Sequence, residues 1–121
     1  MLKTKEINSQ GIAHNALSKG SSIKGEINAD GDFRIDGRIE GSVNGLGKIV
    51  VGPQAEIIGT ITCDNLEIMG RVKGNIRVKS NVSLRHSCIY VGDMVTQTLE
   101  IEPGAIFNGS CRMMKEEKSE S

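Results

Sequence analysis

The chain has few of the residues on which catalytic centres and membrane spans usually depend. Among its 121 residues there are no tryptophans, one tyrosine, two phenylalanines, two prolines and two histidines. Its three cysteines include no Cys-x-x-Cys pair, the spacing typical of zinc and redox sites. No apolar run approaches the roughly 18 residues of a transmembrane helix, and no apolar segment follows the basic start as in a signal peptide. We therefore expect no enzyme: no catalytic, metal or cofactor site, and no membrane span.

Charge of either sign is not in excess. The 15 cationic and 15 acidic residues give a formal net charge of zero at pH 7. With so few aromatic side chains, this composition makes nucleic acid an improbable partner. The charges are nevertheless grouped: a basic band (Arg71, Lys73, Arg77, Lys79, Arg85) follows an acidic band (Glu26, Asp30, Asp32, Asp36, Glu40). Beside ordinary surface charge, these bands predict lateral attraction between neighbouring molecules or docking of an acidic partner.

Glycine, in contrast, is abundant, and six of the 15 glycines recur at nearly regular intervals. These are Gly25, Gly41, Gly59, Gly74, Gly92 and Gly109. Around each of them apolar residues occupy every second position, which is the period of a β-strand and not of a helix. Copies that begin at Leu17, Phe33, Ile49, Leu66, Val82 and Leu99 are 16 or 17 residues apart. So short and even a period predicts a solenoid of stacked coils.

Each copy has six inward positions, and these predict three short strands joined by bends. The fifth position is the glycine, where a narrow interior leaves no room for a Cβ atom. The second position is aliphatic in five copies but falls on Lys19 in the first, and the third stays small, as at Ser21. Three copies carry two extra residues at one corner, at Gly52-Pro53-Gln54, Arg85-His86-Ser87 and Glu102-Pro103-Gly104. The sequence therefore predicts an all-β, three-faced solenoid of about six coils.

The two termini lack this pattern. We predict flexible tails at residues 1–16 and 113–121 around a repeat body at residues 17–112. The first residues combine apolar and cationic side chains, at Met1, Leu2, Lys3 and Lys5. Such a tip is either a solvated tail or a weak contact with an anionic membrane, which would need avidity from many subunits.

The two ends of the predicted rod differ in polarity. Lys19 and Ser21 make the interior of the first coil partly polar, whereas the last coil is apolar and no capping helix follows it. Because a solenoid must cap or pair its terminal coils, the last coil is predicted to mediate end-on association. We predict that Phe107 anchors this interface, with Leu99 and Ile101 beside it, because large aromatic residues contribute most to interfaces.

Two segments resemble one known family. Residues 31–41 (GDFRIDGRIEG) and 99–109 (LEIEPGAIFNG) are similar to the bactofilins, the bacterial polymer-forming cytoskeletal proteins. The resemblance implies a right-handed parallel β-helix that polymerises end to end without nucleotide, into filaments that serve cell shape or localise partner proteins. It also implies a cytoplasmic protein whose N-terminal tip, Met1 to Lys5, contacts the inner membrane face. Its partners would be other copies of itself, the membrane surface, and cell-wall or polar proteins.

Two other functions remain open at this stage. One is an acyltransferase on a left-handed β-helix, although such repeats have about 18 residues per coil and a catalytic histidine loop. The other is a monomeric solenoid adaptor that uses its charged bands to bind a partner.

Cys63 and Cys111 lie three coils apart, about 14 Å at the strand spacing, too far for a disulfide. Free thiols favour a reducing, cytoplasmic location.

Overall fold

The computed structural model of the protein describes residues 15–114. Every regular secondary-structure element in that range is a β-strand. There are nine of them: β1 (Asn15–Leu17), β2 (Ser22–Ala29), β3 (Phe33–Ile35), β4 (Arg38–Gly45), β5 (Lys48–Val51), β6 (Glu56–Ile68), β7 (Arg71–Leu84), β8 (Ile89–Ile101) and β9 (Ile106–Met113). Every pairing is parallel and joins residues 15 to 18 positions apart in the chain. The chain therefore winds into a β-solenoid of about six turns, which confirms the predicted all-β fold.

We call each turn of the solenoid a coil and number the coils in chain order. Coils one to six begin at Asn15, Phe33, Ile49, Leu66, Val82 and Leu99, which are stacked in register from one turn to the next. The six repeated glycines are stacked in the same way, glycine on glycine, through all the turns.

This glycine column is the tightest point of the solenoid. All six glycines have φ between 132° and 144°, a region that L side chains rarely adopt. A Cβ atom on Gly59 would overlap the backbone carbonyl of Gly41 in the coil before it, and the later glycines are placed in the same way. The positive φ turns the strand here, so each coil has one face before the glycine and another after it.

The core is a continuous column of mostly aliphatic, apolar side chains inside the coils. Its largest fully buried members are Tyr90, Phe33, Ile27, Ile35, Ile39, Ile49, Ile57, Ile61, Leu66, Ile68, Leu84 and Met94. The structure adds a seventh inward position that the sequence pattern missed, two residues after the sixth. It is buried at Ala29, Cys63, Val78 and Thr96. The mixed chemistry of these four residues explains why no apolar repeat is visible there.

The predicted register is wrong by two residues at the start of the first coil, and it is right from Ile23 onward. Leu17 pairs with Ile35 and Asn15 with Phe33, so Leu17 fills the second inward position. Lys19 is exposed in a turn that the Ser21 N–H closes on the Ser18 carbonyl at 3.0 Å. The same turn closes the three extended corners that the sequence identified, at Ala55, Cys88 and Ala105. The first position of this coil is the polar Asn15, so the sequence pattern assigns the first apolar residue, Leu17, to that position and extends the strand through the turn.

Several expectations concern residues that the structure leaves out. The proposed membrane tip at Met1, Leu2, Lys3 and Lys5 lies outside the described residues, as do most residues of both predicted tails. The last strand ends at Met113, one residue into the segment assigned to the C-terminal tail. Between residues 15 and 114, no helix is long and apolar enough to cross a membrane.

Candidate self-association surface

The last coil exposes apolar side chains that are buried at equivalent positions in the coils before it. Leu99, Ala105, Phe107 and Cys111 are only partly buried, and Ile101 is 50% exposed. Leu84, which pairs with Ile101 one coil earlier, is fully buried. No further coil among the described residues covers this layer. We call these five residues the C-terminal end surface.

The opposite end of the rod has no equivalent exposed layer. Leu17 and Ile23 in the first coil are 7% and 8% exposed, and Ile27 is fully buried. This corrects the expectation that Lys19 makes the first coil polar inside, because the interior position belongs to Leu17. The two ends do differ as predicted, but through the exposure of apolar side chains rather than through a polar interior.

Unpaired backbone groups accompany the exposed side chains. Within residues 15–114, β9 pairs with β8 alone, and the segment Thr98–Ile101 of β8 pairs with β7 alone. The outer edges of these strands therefore present N–H and C=O groups that no described strand satisfies. Such an edge is a template for further strands, and next to apolar side chains it favours association.

Phe107 packs against the buried ring of Tyr90. Its ring meets that of Tyr90 edge to face, with centroids 5.4 Å apart and an interplanar angle of 84°. The Tyr90 hydroxyl lies 2.9 Å from the Gly74 carbonyl and 2.6 Å from the Asp93 carbonyl, and it donates its proton to this pair. Burial, with the nearby Asp93 charge, raises the pKa of Tyr90, so the hydroxyl stays a donor. Phe107 is thus preorganised, which lowers the entropy cost of binding.

The exposed apolar surface continues from the end onto the sides of the rod. Ile106 of β9 faces outward and is 47% exposed. Met113 of β9 is 50% exposed and lies in the end layer, because it pairs with the buried Thr96. Sequence reasoning placed Leu99, Ile101 and Phe107 at this interface, and the structure puts all three in the last coil. It did not include Ile106, because outward residues do not belong to the repeated inward pattern. It did not include Met113, because Met113 pairs with Thr96 in the seventh inward position, which the sequence pattern missed.

The cysteines and the described histidine do not form a reactive site. Burial raises the pKa of the Cys63 thiol to about 12, and that of Cys88 likewise to about 12, so both stay protonated at neutral pH. Burial also raises the pKa of Cys111, and all three cysteines are free. His86 lies in an exposed corner, with Nδ1 3.7 Å from Glu102. Among residues 15–114, no cluster of three or more His, Cys, Asp or Glu side chains is placed to hold a metal.

Two carboxylates of the acidic band form ion pairs within their own molecule. Glu40 is 3.3 Å from Lys24 and 2.9 Å from Arg38, and Asp36 is 2.9 Å from Arg34. A second ion-pair ladder joins Lys48, Glu67, Arg85 and Glu102 across successive coils. Four cations of the basic band have no carboxylate within 4.0 Å among the described residues: Arg71, Lys73, Arg77 and Lys79. The two bands are therefore not equivalent.

Glu67 makes the stability of the rod depend on pH. Burial alone would raise its pKa, but hydrogen bonds from Arg85 and Lys48 hold the pKa below its ordinary value of 4.5. A carboxyl group whose pKa is lowered by folding stabilises the fold at pH values above its ordinary pKa. This stabilisation is lost as the pH falls through the lowered pKa. We expect the urea midpoint to drop between about pH 5 and pH 3. Glu67→Gln should reduce the drop, measured by circular dichroism.

The matched control for this prediction is Glu26→Gln, because the Glu26 carboxylate has no cation within 4.0 Å in the described part of the chain. The control should keep the pH dependence of the unchanged protein. Equal pH dependence in Glu67→Gln and in the unchanged protein would contradict the assignment.

Together, the parallel coils and the uncovered C-terminal layer define a β-solenoid with an exposed apolar layer at one end. The family model for bactofilins, described as polymer-forming cytoskeletal proteins, matches residues 15–112. The chain belongs to this bactofilin family, as the resemblance of its repeats indicated, and the family is a structural, cytoskeletal one.

Two curated relatives come from Myxococcus xanthus (strain DK1622). Bactofilin BacO is 34% identical over 106 residues, which cover 87% of this chain and 84% of BacO. Bactofilin BacP is 27% identical over 114 residues, which cover 93% of this chain but 48% of BacP. The chain therefore spans about half the length of BacP. No solved structure gives a significant match.

Proposed function

We propose that the protein is a cytoskeletal scaffold that assembles end to end into filaments without bound nucleotide. The observation that carries the proposal is the C-terminal end surface, where Ile101 is 50% exposed beside the partly buried Leu99 and Phe107. Contact with a second end removes this apolar area from water and pairs the free strand edges. Membership of a polymer-forming family supports the same conclusion.

Assembly through the ends needs no chemical energy source. Covering apolar side chains and pairing strand edges are favourable in themselves, and each added subunit repeats the same contact. The expected polymer therefore forms above a critical protein concentration and needs neither nucleotide nor metal. This property separates it from a solenoid adaptor, which stays monomeric at about 13 kDa.

In the cell, such filaments would act by position rather than by catalysis. We propose a cytoplasmic polymer that maintains cell shape or localises partner proteins. Contact with the inner membrane face would come from the tip at Met1, Leu2, Lys3 and Lys5, where many weak tips on one polymer give avidity.

The test of the assembly is negative-stain electron microscopy of the purified, nucleotide-free protein, with sedimentation of the same sample over a range of concentrations. Filaments a few nanometres wide, and a constant concentration of protein in the supernatant above a threshold, are expected. A uniform monomer or a discrete trimer at every concentration would contradict the proposal.

A further inference from the structure

A row of cations crosses the middle of the rod without acidic partners. Arg71, Lys73, Arg77 and Lys79 all lie on β7, in coil four, and all are exposed. We call these four residues the β7 cation row. None of them has a carboxylate within 4.0 Å among the described residues, and Glu56, in register with Arg71, is paired with Arg38. At about 3.3 Å per residue, the row follows roughly 26 Å of chain.

The row occupies two faces of the rod and not one. Gly74, with φ of 138°, turns β7 between Lys73 and Asn75. Arg71 and Lys73 therefore lie before the bend, and Arg77 and Lys79 lie after it. A flat surface such as a membrane contacts one of these faces at a time. A chain that bends across Gly74 contacts both.

The ion-paired carboxylates in the acidic band of a neighbouring rod are poor partners for this row. The carboxylates of Glu40 and Asp36 already form ion pairs at 2.9 to 3.3 Å within their own molecule. Exchanging those pairs for intermolecular ones gains little energy, since exposed ion pairs are weak. The unmatched positive charge therefore favours an anion from outside the rod.

Side chains beside the row suit a peptide. In coil five, Ile89, Val91 and Val95 lie directly next to Arg71, Lys73 and Arg77, and Val91 is 37% exposed. Around Arg77 there is a shallow depression lined by Thr60, Thr62, Asn75, Asp93 and Val95. The threonines, Asn75 and Val95 offer hydrogen bonds and apolar contact. The one carboxylate, Asp93, already accepts a hydrogen bond from the Ser110 hydroxyl at 2.8 Å. Single-stranded nucleic acid would need exposed aromatic rings for stacking, but Phe33 and Tyr90 are buried and Phe107 lies at the rod's end.

We propose that the β7 cation row is a docking site for an extended acidic segment of another protein, laid along coil four across the Gly74 bend. Carboxylates of the segment pair with the four cations, and its apolar side chains contact Ile89, Val91 and Val95. The site lies on the sides of the rod, away from the C-terminal end surface, so it stays accessible in an end-to-end polymer and repeats in every subunit.

The experiment measures binding of a fluorescent peptide to the full chain by anisotropy. The probe alternates Glu and Thr over about ten residues, long enough to follow the row at about 3.3 Å per residue, and a Gln-Thr peptide is its control. Three double variants are compared: R71Q/K73Q before the bend, R77Q/K79Q after it, and K19Q/K24Q as a control with the same loss of charge.

We expect each row variant to weaken binding of the Glu-Thr peptide about fivefold, and the control variant to change it less than about twofold. Rising ionic strength should weaken binding, and filament formation should not change. Loss in one row variant only would overturn the two-face site, as would equal loss in the control variant or equal binding of the Gln-Thr peptide. Binding to vesicles of equimolar phosphatidylglycerol and phosphatidylcholine that is tighter than binding to the Glu-Thr peptide would overturn the proposal and assign the row to a membrane. Tighter binding to oligothymidylate would overturn it and assign the row to a nucleic acid.

Discussion

A Gly59→Ala variant is expected to lose a large part of the stability of the protein. Gly59 has φ of 141°, and an added Cβ atom would overlap the carbonyl oxygen of Gly41. That oxygen belongs to the backbone of a paired strand, so no side-chain movement relieves the overlap. The strained φ and the forced separation of two coils together cost on the order of 3 to 5 kcal/mol. Domains of this size are stable by only about 5 to 15 kcal/mol.

The measurement is urea denaturation followed by circular dichroism at a concentration below that of assembly. Gly31→Ala is the matched control, because no atom lies within 4 Å of its added Cβ and its φ is not in the positive region. The control should unfold within about 0.5 kcal/mol of the unchanged protein. If Gly59→Ala were as stable as this control, the glycine column would have no role in stacking the coils.

An Ile101→Arg variant is expected to abolish filaments while leaving the subunit folded. Ile101 is 50% exposed in the isolated chain, so its replacement removes little of the core. In an end-to-end contact, however, the arginine would bury an unpaired charge in an apolar interface, which is costly. A loss of about 2 kcal/mol or more at such a position raises the critical concentration at least about thirtyfold. Sedimentation should therefore leave the variant in the supernatant.

Leu46→Arg is the control, because Leu46 is 70% exposed but lies in coil two, away from the C-terminal end surface. It should form filaments normally. Phe107→Arg should also prevent assembly, but with some loss of stability, because Phe107 packs on Tyr90. A folded Ile101→Arg subunit that polymerises like Leu46→Arg would show that the contact lies elsewhere.

The predictions that succeeded rest on strict repetition. The repeat in the sequence predicts that Gly25, Gly41 and the four later glycines form one column, because a parallel solenoid places equivalent residues directly above one another. The same repetition identified Leu99, Ile101 and Phe107 as members of the last coil. Lys19 was misplaced because the first position of its coil is the polar Asn15, so the apolar pattern begins at Leu17 and counts Lys19 as the second position. Cys63 and Thr96 were missed because their column has no common side-chain type.

The sequence by itself determined the solenoid, its number of coils and the position of the glycine column. It did so because the interior is narrow and accepts few residue types. Only the tertiary structure decided which charges are free. Arg38 and Arg71 are equivalent in the repeat, yet Arg38 has carboxylates 2.9 and 3.3 Å away and Arg71 has none within 4.0 Å among the described residues. Glu40 lies two residues from Arg38 on the same strand, but Glu56 comes beside Arg38 only through the stacking of the next coil, so order along the chain does not by itself show which cations are paired.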